Sequence, residues 1–385
     1  MATQKAKPRL LLLTRNLPPL IGGMERLIWH IADELKISFD LHVVGPTGAA
    51  ELAPAGVGVT EIPFRSLWLF LLRMKMAVFL QTLKLRPQIV FAGSGLTAPF
   101  AWLGARIVGA RAIVYLHGLD IDTQHRIYRL LWLPFIRRCD HVLANSHHTR
   151  QLAINAGVAE NRLTTLHPGV DLPDLSDSEA SRYRFRERYN LGNAPVMLYV
   201  GRITARKGLL PFVEEILPKV CREIPDARLV VIGDEPNLAL LKGESLLNRI
   251  HHALHSNRLT ENVIFLGSRA HDDPEINEAY FAADTHVFPV QERPGDNEGF
   301  GMVAIEAAAH GLPTVAFSAG GVADSVCNAL SGQVVAAGDN DSFTNSLIEF
   351  LTQSRQKPNS SCVEFAQQFS WPEFGRHLLE ICARA

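Results

Sequence analysis

Ten short, continuously apolar runs, set between longer helical stretches, constrain the fold of this chain more than any other feature. RLLLLT (9–14), DLHVVG (40–45), QIVFAG (88–93), AIVYLHG (112–118) and HVLANS (141–146) form one series. PVMLYVG (195–201), ARLVVIG (227–233), NVIFLG (262–267), THVFPV (285–290) and PTVAFS (313–318) form a second. Runs of strand length that do not alternate with polar residues suit parallel strands buried on both faces. GMERLIWHIADELK, the stretch 67–85 and TAPFAWLGARIVG read as helices between the first runs. Such βα repetition predicts doubly wound α/β sheets.

The two series are separated by 167–195, a stretch rich in Pro, Asp, Ser and charge. At 385 residues the chain exceeds one minimal core. The expected organisation is therefore an N-terminal Rossmann-like domain over 1–172, a second over 173–365, and a C-terminal helical tail over 366–385 that packs back toward the first. Two such domains are expected to face each other across a cleft. Ligands of these sheets bind beyond the carboxyl ends of the strands. That rule selects the loops after residues 14, 116, 201, 233, 267 and 290.

A formal net charge of −1 conceals an asymmetry: residues 1–172 hold 19 Lys/Arg against 11 Asp/Glu, and the remainder holds 19 against 28. The basic excess is diffuse and carries no nucleic-acid-binding motif, so no nucleic acid is expected as a partner. Five scattered cysteines without a CxxC pair read as reduced thiols of a cytoplasmic protein. The apolar run at the N-terminus is about five residues, too short for a signal-peptide core or a membrane span. Residues 64–87 interleave Trp68, Phe70, Leu72, Met74, Phe79 and Leu80 with Arg65, Arg73, Lys75, Lys84 and Arg86. That pattern fits either an ordinary helix with cations in solvent or a basic amphipathic helix lying on an anionic membrane. Together with the basic balance of this half, it sets the expectation of peripheral contact with the inner face of the cell membrane.

Several strand-end loops could carry chemistry. Gly22 and Gly23 precede a helix, where backbone N–H groups and the helix dipole favour an anion; glycine needed for conformation alone is the plainer reading. His117 ends a strand and is followed by Gly118, Asp120 and Asp122. The Asp-Ile-Asp spacing is that of a metal pair, yet no cluster of further ligands accompanies it, and no metal site is expected. Arg202 and Lys207 flank a short loop before a helix. They suit either a diphosphate, whose departing charge they would balance, or a solvated surface pair. In PGDNEGFGMVAIEAAAHG (294–311), Glu298 lies just before a helix and Glu306 sits on it among apolar neighbours. Glutamate is rarely buried without a partner, so Glu306 should face the cleft, where adjacent ribose hydroxyls are suitable donors. SAGGVADSV (318–326) adds another Gly-Gly turn before a helix.

GGMER, GRITARKG and especially EGFGMVAIEAAAHGLPTVAFSAGG resemble the motifs of retaining glycosyltransferases of family 4, which have the GT-B fold. The likeness covers nearly the whole chain and points to bacterial enzymes that add mannose, glucose or related sugars to lipid or polysaccharide acceptors. It implies retaining, metal-independent hexosyl transfer from a nucleotide sugar, with no cofactor beyond the donor. Gly22 and Gly23 would lie over the donor diphosphate, and Arg202 and Lys207 would neutralise it. Glu298 would contact the transferred sugar beside the backbone of Phe300, Gly301 and Met302, and Glu306 would take the ribose hydroxyls. His117 would contact the donor sugar and Asp120 would stand near the acceptor.

Two positions depart from the family pattern. IGDEP leaves Gly233 without a second glycine, and Ala323 stands where proline is frequent. Neither removes a charged role. The PGDNEG loop is similar to that of GDP-mannose users, with UDP-hexoses the alternative donors. The acceptor implied is a glycan or a lipid-linked hydroxyl; a soluble sugar phosphate or small molecule, or a non-catalytic sugar-nucleotide-binding protein, are the competing readings.

Overall fold

The computed structural model describes residues 6–17, 22–64, 66–236, 245–270, 272–353 and 357–384. Arg65 of the basic stretch 64–87 lies outside them. The chain divides into two compact units, Met1–Gly169 with Trp371–Ala385, and Val170–Ser370.

The first unit is built on a seven-stranded parallel sheet of order β3-β2-β1-β4-β5-β6-β7. Its strands are β1 (Arg9–Leu13), β2 (Asp40–Pro46), β3 (Gly58–Ile62), β4 (Ile89–Ala92), β5 (Arg111–Leu116), β6 (His141–Ala144) and β7 (Leu163–Thr165). Leu10 through Leu13 are buried, as a strand covered by helices on both faces requires. The outer strands β3 and β7 were not anticipated. β3 reads GVTEI and only Ile62 is buried; β7 is three residues long and buries only Leu163. Edge strands need no continuous apolar run and therefore leave no such signal. The final helix, Trp371–Arg384, belongs to this unit: the His30 ring stacks on Trp371 at 3.7 Å, and Arg111 Nη2 donates to the Cys382 carbonyl at 3.3 Å.

The second unit carries a six-stranded parallel sheet of order β10-β9-β8-β11-β12-β13. Here β8 is Val196–Val200, β9 Arg228–Ile232, β10 Val263–Gly267, β11 Thr285–Phe288, β12 Thr314–Phe317 and β13 Gly332–Val335. Again the unanticipated strand, β13, is an edge, with partly exposed Gln333 and Val334. The helix Met302–Ala309 runs between β11 and β12. It starts on Gly301 in the left-handed region and ends at His310, followed by left-handed Gly311.

Both sheets are Rossmann-like and wound as the sequence predicts. Their strand-end loops are the places to look for chemistry.

Candidate active site

In the second unit, the loop after β8 is pulled against the end of β11. Gly208 has φ 74°, and a Cβ there would fall 1.8 Å from the carbonyl oxygen of Pro289, so the approach tolerates glycine alone. Gln291 N donates to the Arg206 carbonyl at 2.8 Å and fastens the two loops together. This juxtaposition brings Lys207 to Glu298, with Nζ 2.8 Å from Oε2. Lys207 also lies over the Phe288 ring, 5.0 Å from its centroid. Arg206 hydrogen-bonds the same Glu298 oxygen, and its Nε sits 3.1 Å from Asp296 Oδ1. Burial would push the Glu298 carboxyl up; Lys207 and Arg206 more than offset it and hold the group below its ordinary value. Burial pulls the Lys207 ammonium down, against the attraction of Glu298. A compact, ionised cluster results, of two cations on one buried carboxylate.

Arg202 is exposed, and its carbonyl accepts from the Tyr199 hydroxyl at 3.1 Å. The Gly320–Gly321 turn packs on the backbone of Glu298: Gly321 N donates to the Glu298 carbonyl at 2.9 Å, and a Cβ on Gly320 (φ 56°) would approach that oxygen to 2.3 Å. Here the glycine pair supports the carboxylate-bearing loop. Phe300 is buried against Ile305, Ala308 and Cys362, so its side chain anchors the loop that Gly301 and half-buried Met302 continue.

Glu306 stands apart from that cluster, about one turn into the helix Met302–Ala309. Its Oε2 accepts from the Tyr280 hydroxyl at 3.0 Å. His286 nearby is fully buried; burial pushes its pKa down to about 3, with Glu306 opposing the shift, so the ring is neutral.

In the first unit, His117 follows β5 and is buried. Its Nε2 lies 2.7 Å from the Gly93 carbonyl oxygen. A carbonyl only accepts, so Nε2 carries the hydrogen, which makes Nδ1 the acceptor whenever the imidazole is uncharged. Asp120 ties two loops together: Oδ1 accepts from His117 N at 2.9 Å and Oδ2 from Gly95 N at 2.7 Å. Gly22 is the extended N-cap of the helix Gly23–Ser38. Behind it, Glu25 is buried and accepts from Asn16 Nδ2 at 2.7 Å, which joins the loop after β1 to the helix.

The helix Leu67–Leu85 buries Phe70, Leu71, Met74, Val78 and Thr82 and exposes Trp68, Leu72, Met76, Phe79, Leu80 and Leu83. Lys75 and Lys84 are exposed along it, and it contains no acidic residue. Trp68 meets Trp132 edge-on at 6.3 Å; Trp132 stacks on Tyr128 of the helix Arg126–Leu131, which exposes Ile127, Leu130 and Leu131 beside Arg126 and Arg129. Among the described residues, no helix is long and apolar enough to cross a membrane.

Sequence reasoning missed Arg206, Asp296, Tyr280, Glu25 and the helix Arg126–Leu131. The Arg-Lys doublet in GRITARKG was the one visible sign of Arg206.

Residues 21–173 match the family described as Glycosyltransferase Family 4, and residues 194–353 match Glycosyl transferases group 1. A relative from Mycolicibacterium smegmatis, a GDP-mannose-dependent alpha-(1-6)-phosphatidylinositol monomannoside mannosyltransferase, is 31% identical over 359 residues, 90% of each chain. The crystal structure of Anabaena Alr3699/HepE in complex with UDP and glucose is similar in fold, with a TM-score of 0.79 over 98% of this chain and 100% of that one, at 18% identity. WaaG, a glycosyltransferase involved in lipopolysaccharide biosynthesis, gives 0.69 over 97% and 99% at 17% identity. At those identities the likeness is one of fold, the two Rossmann-like units of the GT-B type.

Proposed function

The chain belongs to glycosyltransferase family 4, as a retaining hexosyltransferase with a nucleotide-sugar donor, and from that premise we propose that it transfers mannose from GDP-mannose to a hydroxyl of a lipid-linked acceptor at an anionic membrane surface. The observation that carries the acceptor half is the exposed apolar stripe of Leu67–Leu85, flanked by cations without one acid and extended by Ile127, Leu130 and Leu131. Apolar side chains with Lys and Arg beside them suit the headgroup–acyl boundary of an anionic leaflet. The donor half is favoured by the similarity to a GDP-mannose-dependent enzyme across nine-tenths of both chains.

In this reading Lys207 and Arg202 balance the diphosphate as it leaves, and glycine N–H groups at Gly22 and Gly23 add to that balance. Glu298 stands at the transferred sugar, with the Phe300–Met302 backbone beside it, and Glu306 binds the ribose hydroxyls. His117, with Nδ1 as acceptor, takes a hydrogen bond from a sugar hydroxyl. Asp120 acts through His117: both of its oxygens accept backbone N–H groups, from His117 and Gly95, which supports a positioning part. Cation-balanced departure of the nucleoside diphosphate is expected to proceed without a divalent ion.

The test is incubation of purified protein with radiolabelled GDP-mannose, UDP-glucose, UDP-galactose or UDP-N-acetylglucosamine. Acceptors are phosphatidylinositol vesicles or soluble inositol phosphate, with and without EDTA. Mannose transfer to the lipid, undiminished by EDTA, is expected. Transfer confined to the soluble acceptor overturns the lipid reading, and turnover with UDP-sugars alone overturns the donor.

A further inference from the structure

We infer that Arg206 is a positioning residue that holds Glu298 in place and leaves Lys207 free to engage a donor phosphate. The inference rests on the reading above that Glu298 stands at the transferred sugar and Lys207 at the diphosphate. Both cations converge on one oxygen, Glu298 Oε2. They are differently anchored. Arg206 is 8% exposed, has Asp296 on its Nε at 3.1 Å, and has its own carbonyl fastened by Gln291 N at 2.8 Å. Lys207 ends in a single ammonium on a flexible stem, and its other neighbour is the face of Phe288. Removing one partner from a buried charge is costly when nothing replaces it. If Glu298 had Lys207 alone, drawing the ammonium to a phosphate would strand a buried carboxylate. With Arg206 in place the carboxylate keeps a planar, multiply hydrogen-bonded cation, and the lysine can shift at little cost. Asp296 in turn keeps Arg206 from following the phosphate.

The test compares wild type, Arg206→Lys and Arg206→Gln in donor turnover across pH, with the Glu298 carboxyl titration followed by carbon-13 NMR in the absence of substrate. Expected is kcat falling in the order wild type, Lys, Gln, by at least 20-fold for Gln, with donor KM changed less than threefold. The acid limb of the kcat profile and the Glu298 titration should both move to higher pH. A fold-maintenance role alone would lower thermal stability and the active fraction while leaving both midpoints unmoved, and that outcome overturns the inference, as does kcat within threefold of wild type in Arg206→Gln. Should Arg206→Gln fail to fold, Arg206→Lys decides: lysine cannot reach both carboxylates in the guanidinium's geometry, so an unmoved midpoint overturns the inference. Wild-type protein that turns over no nucleotide sugar sinks the functional reading instead, and the NMR titration still decides Arg206.

Discussion

The ammonium of Lys207 lies 2.8 Å from the carboxylate of Glu298, across 91 residues of sequence, because two strand-end loops in one sheet are held together by a glycine–carbonyl approach. Gly208→Ala tests that approach. Its side chain would meet the Pro289 carbonyl and force a non-glycine residue into the left-handed region. A loss of about 1–3 kcal/mol is expected from the backbone conformation, with more from the clash. Thermal denaturation should report it, together with a fall in turnover larger than the stability loss explains. An alanine variant with wild-type stability and rate would refute the coupling of the loops.

Glu306 answers a question posed by its apolar neighbours: its carboxylate accepts the Tyr280 hydroxyl. Tyr280→Phe removes a hydrogen bond to a charged group, which contributes about 1.5–3 kcal/mol. If Glu306 grips the ribose, the variant should raise donor KM about tenfold or more, with kcat little changed. Glu306→Gln should do the same. A change in kcat alone would assign this pair to another step.

Most of the fold was legible because a strand covered on both faces must be apolar throughout, as Leu10–Leu13 is. The edge strands Gly58–Ile62, Leu163–Thr165 and Gly332–Val335 escape that requirement and were missed. The candidate site was legible only as separate loops. Strand ends pick out Lys207, Glu298 and His117, yet nothing local says that Arg206 and Lys207 share Glu298, since that depends on where Gly208 meets Pro289. Asp120 shows the same limit: its place just beyond β5 is visible in the chain, whereas the N–H groups of Gly95 and His117 that its two oxygens accept are not.

His286 makes stability depend on pH. Its folded pKa of about 3 lies below the ordinary value of 6.5, so the unfolded chain takes up a proton that the folded one refuses. The contribution is therefore fully present above about pH 6.5 and is lost as pH falls toward 3, at up to about 1.4 kcal/mol per pH unit. His286→Phe should be less stable at pH 7, where the hydrogen bond with Thr314 is lost. The gap from wild type should then narrow or invert as the pH is lowered to 4. Parallel stability curves would show that the ring titrates alike in both states.

The exposed stripe yields the last prediction. Lys75 and Arg129 are both exposed, on the helices Leu67–Leu85 and Arg126–Leu131 whose neighbourhoods meet at Trp68 and Trp132. Each cation near an anionic leaflet contributes about 1 kcal/mol, so reversing two should weaken binding by at least ~2 kcal/mol, roughly thirtyfold. Flotation with phosphatidylserine-containing vesicles should show wild type bound, Lys75→Glu/Arg129→Glu largely released, and both unbound on neutral phosphatidylcholine. Leu72→Ser/Leu130→Ser should weaken binding even at low salt, because apolar insertion is unscreened while the cationic attraction fades with ionic strength. If neither the charge-reversed nor the serine variant is released, the stripe is not a membrane face. If only the serine variant is released, the surface is held by apolar contact and the cations serve another end.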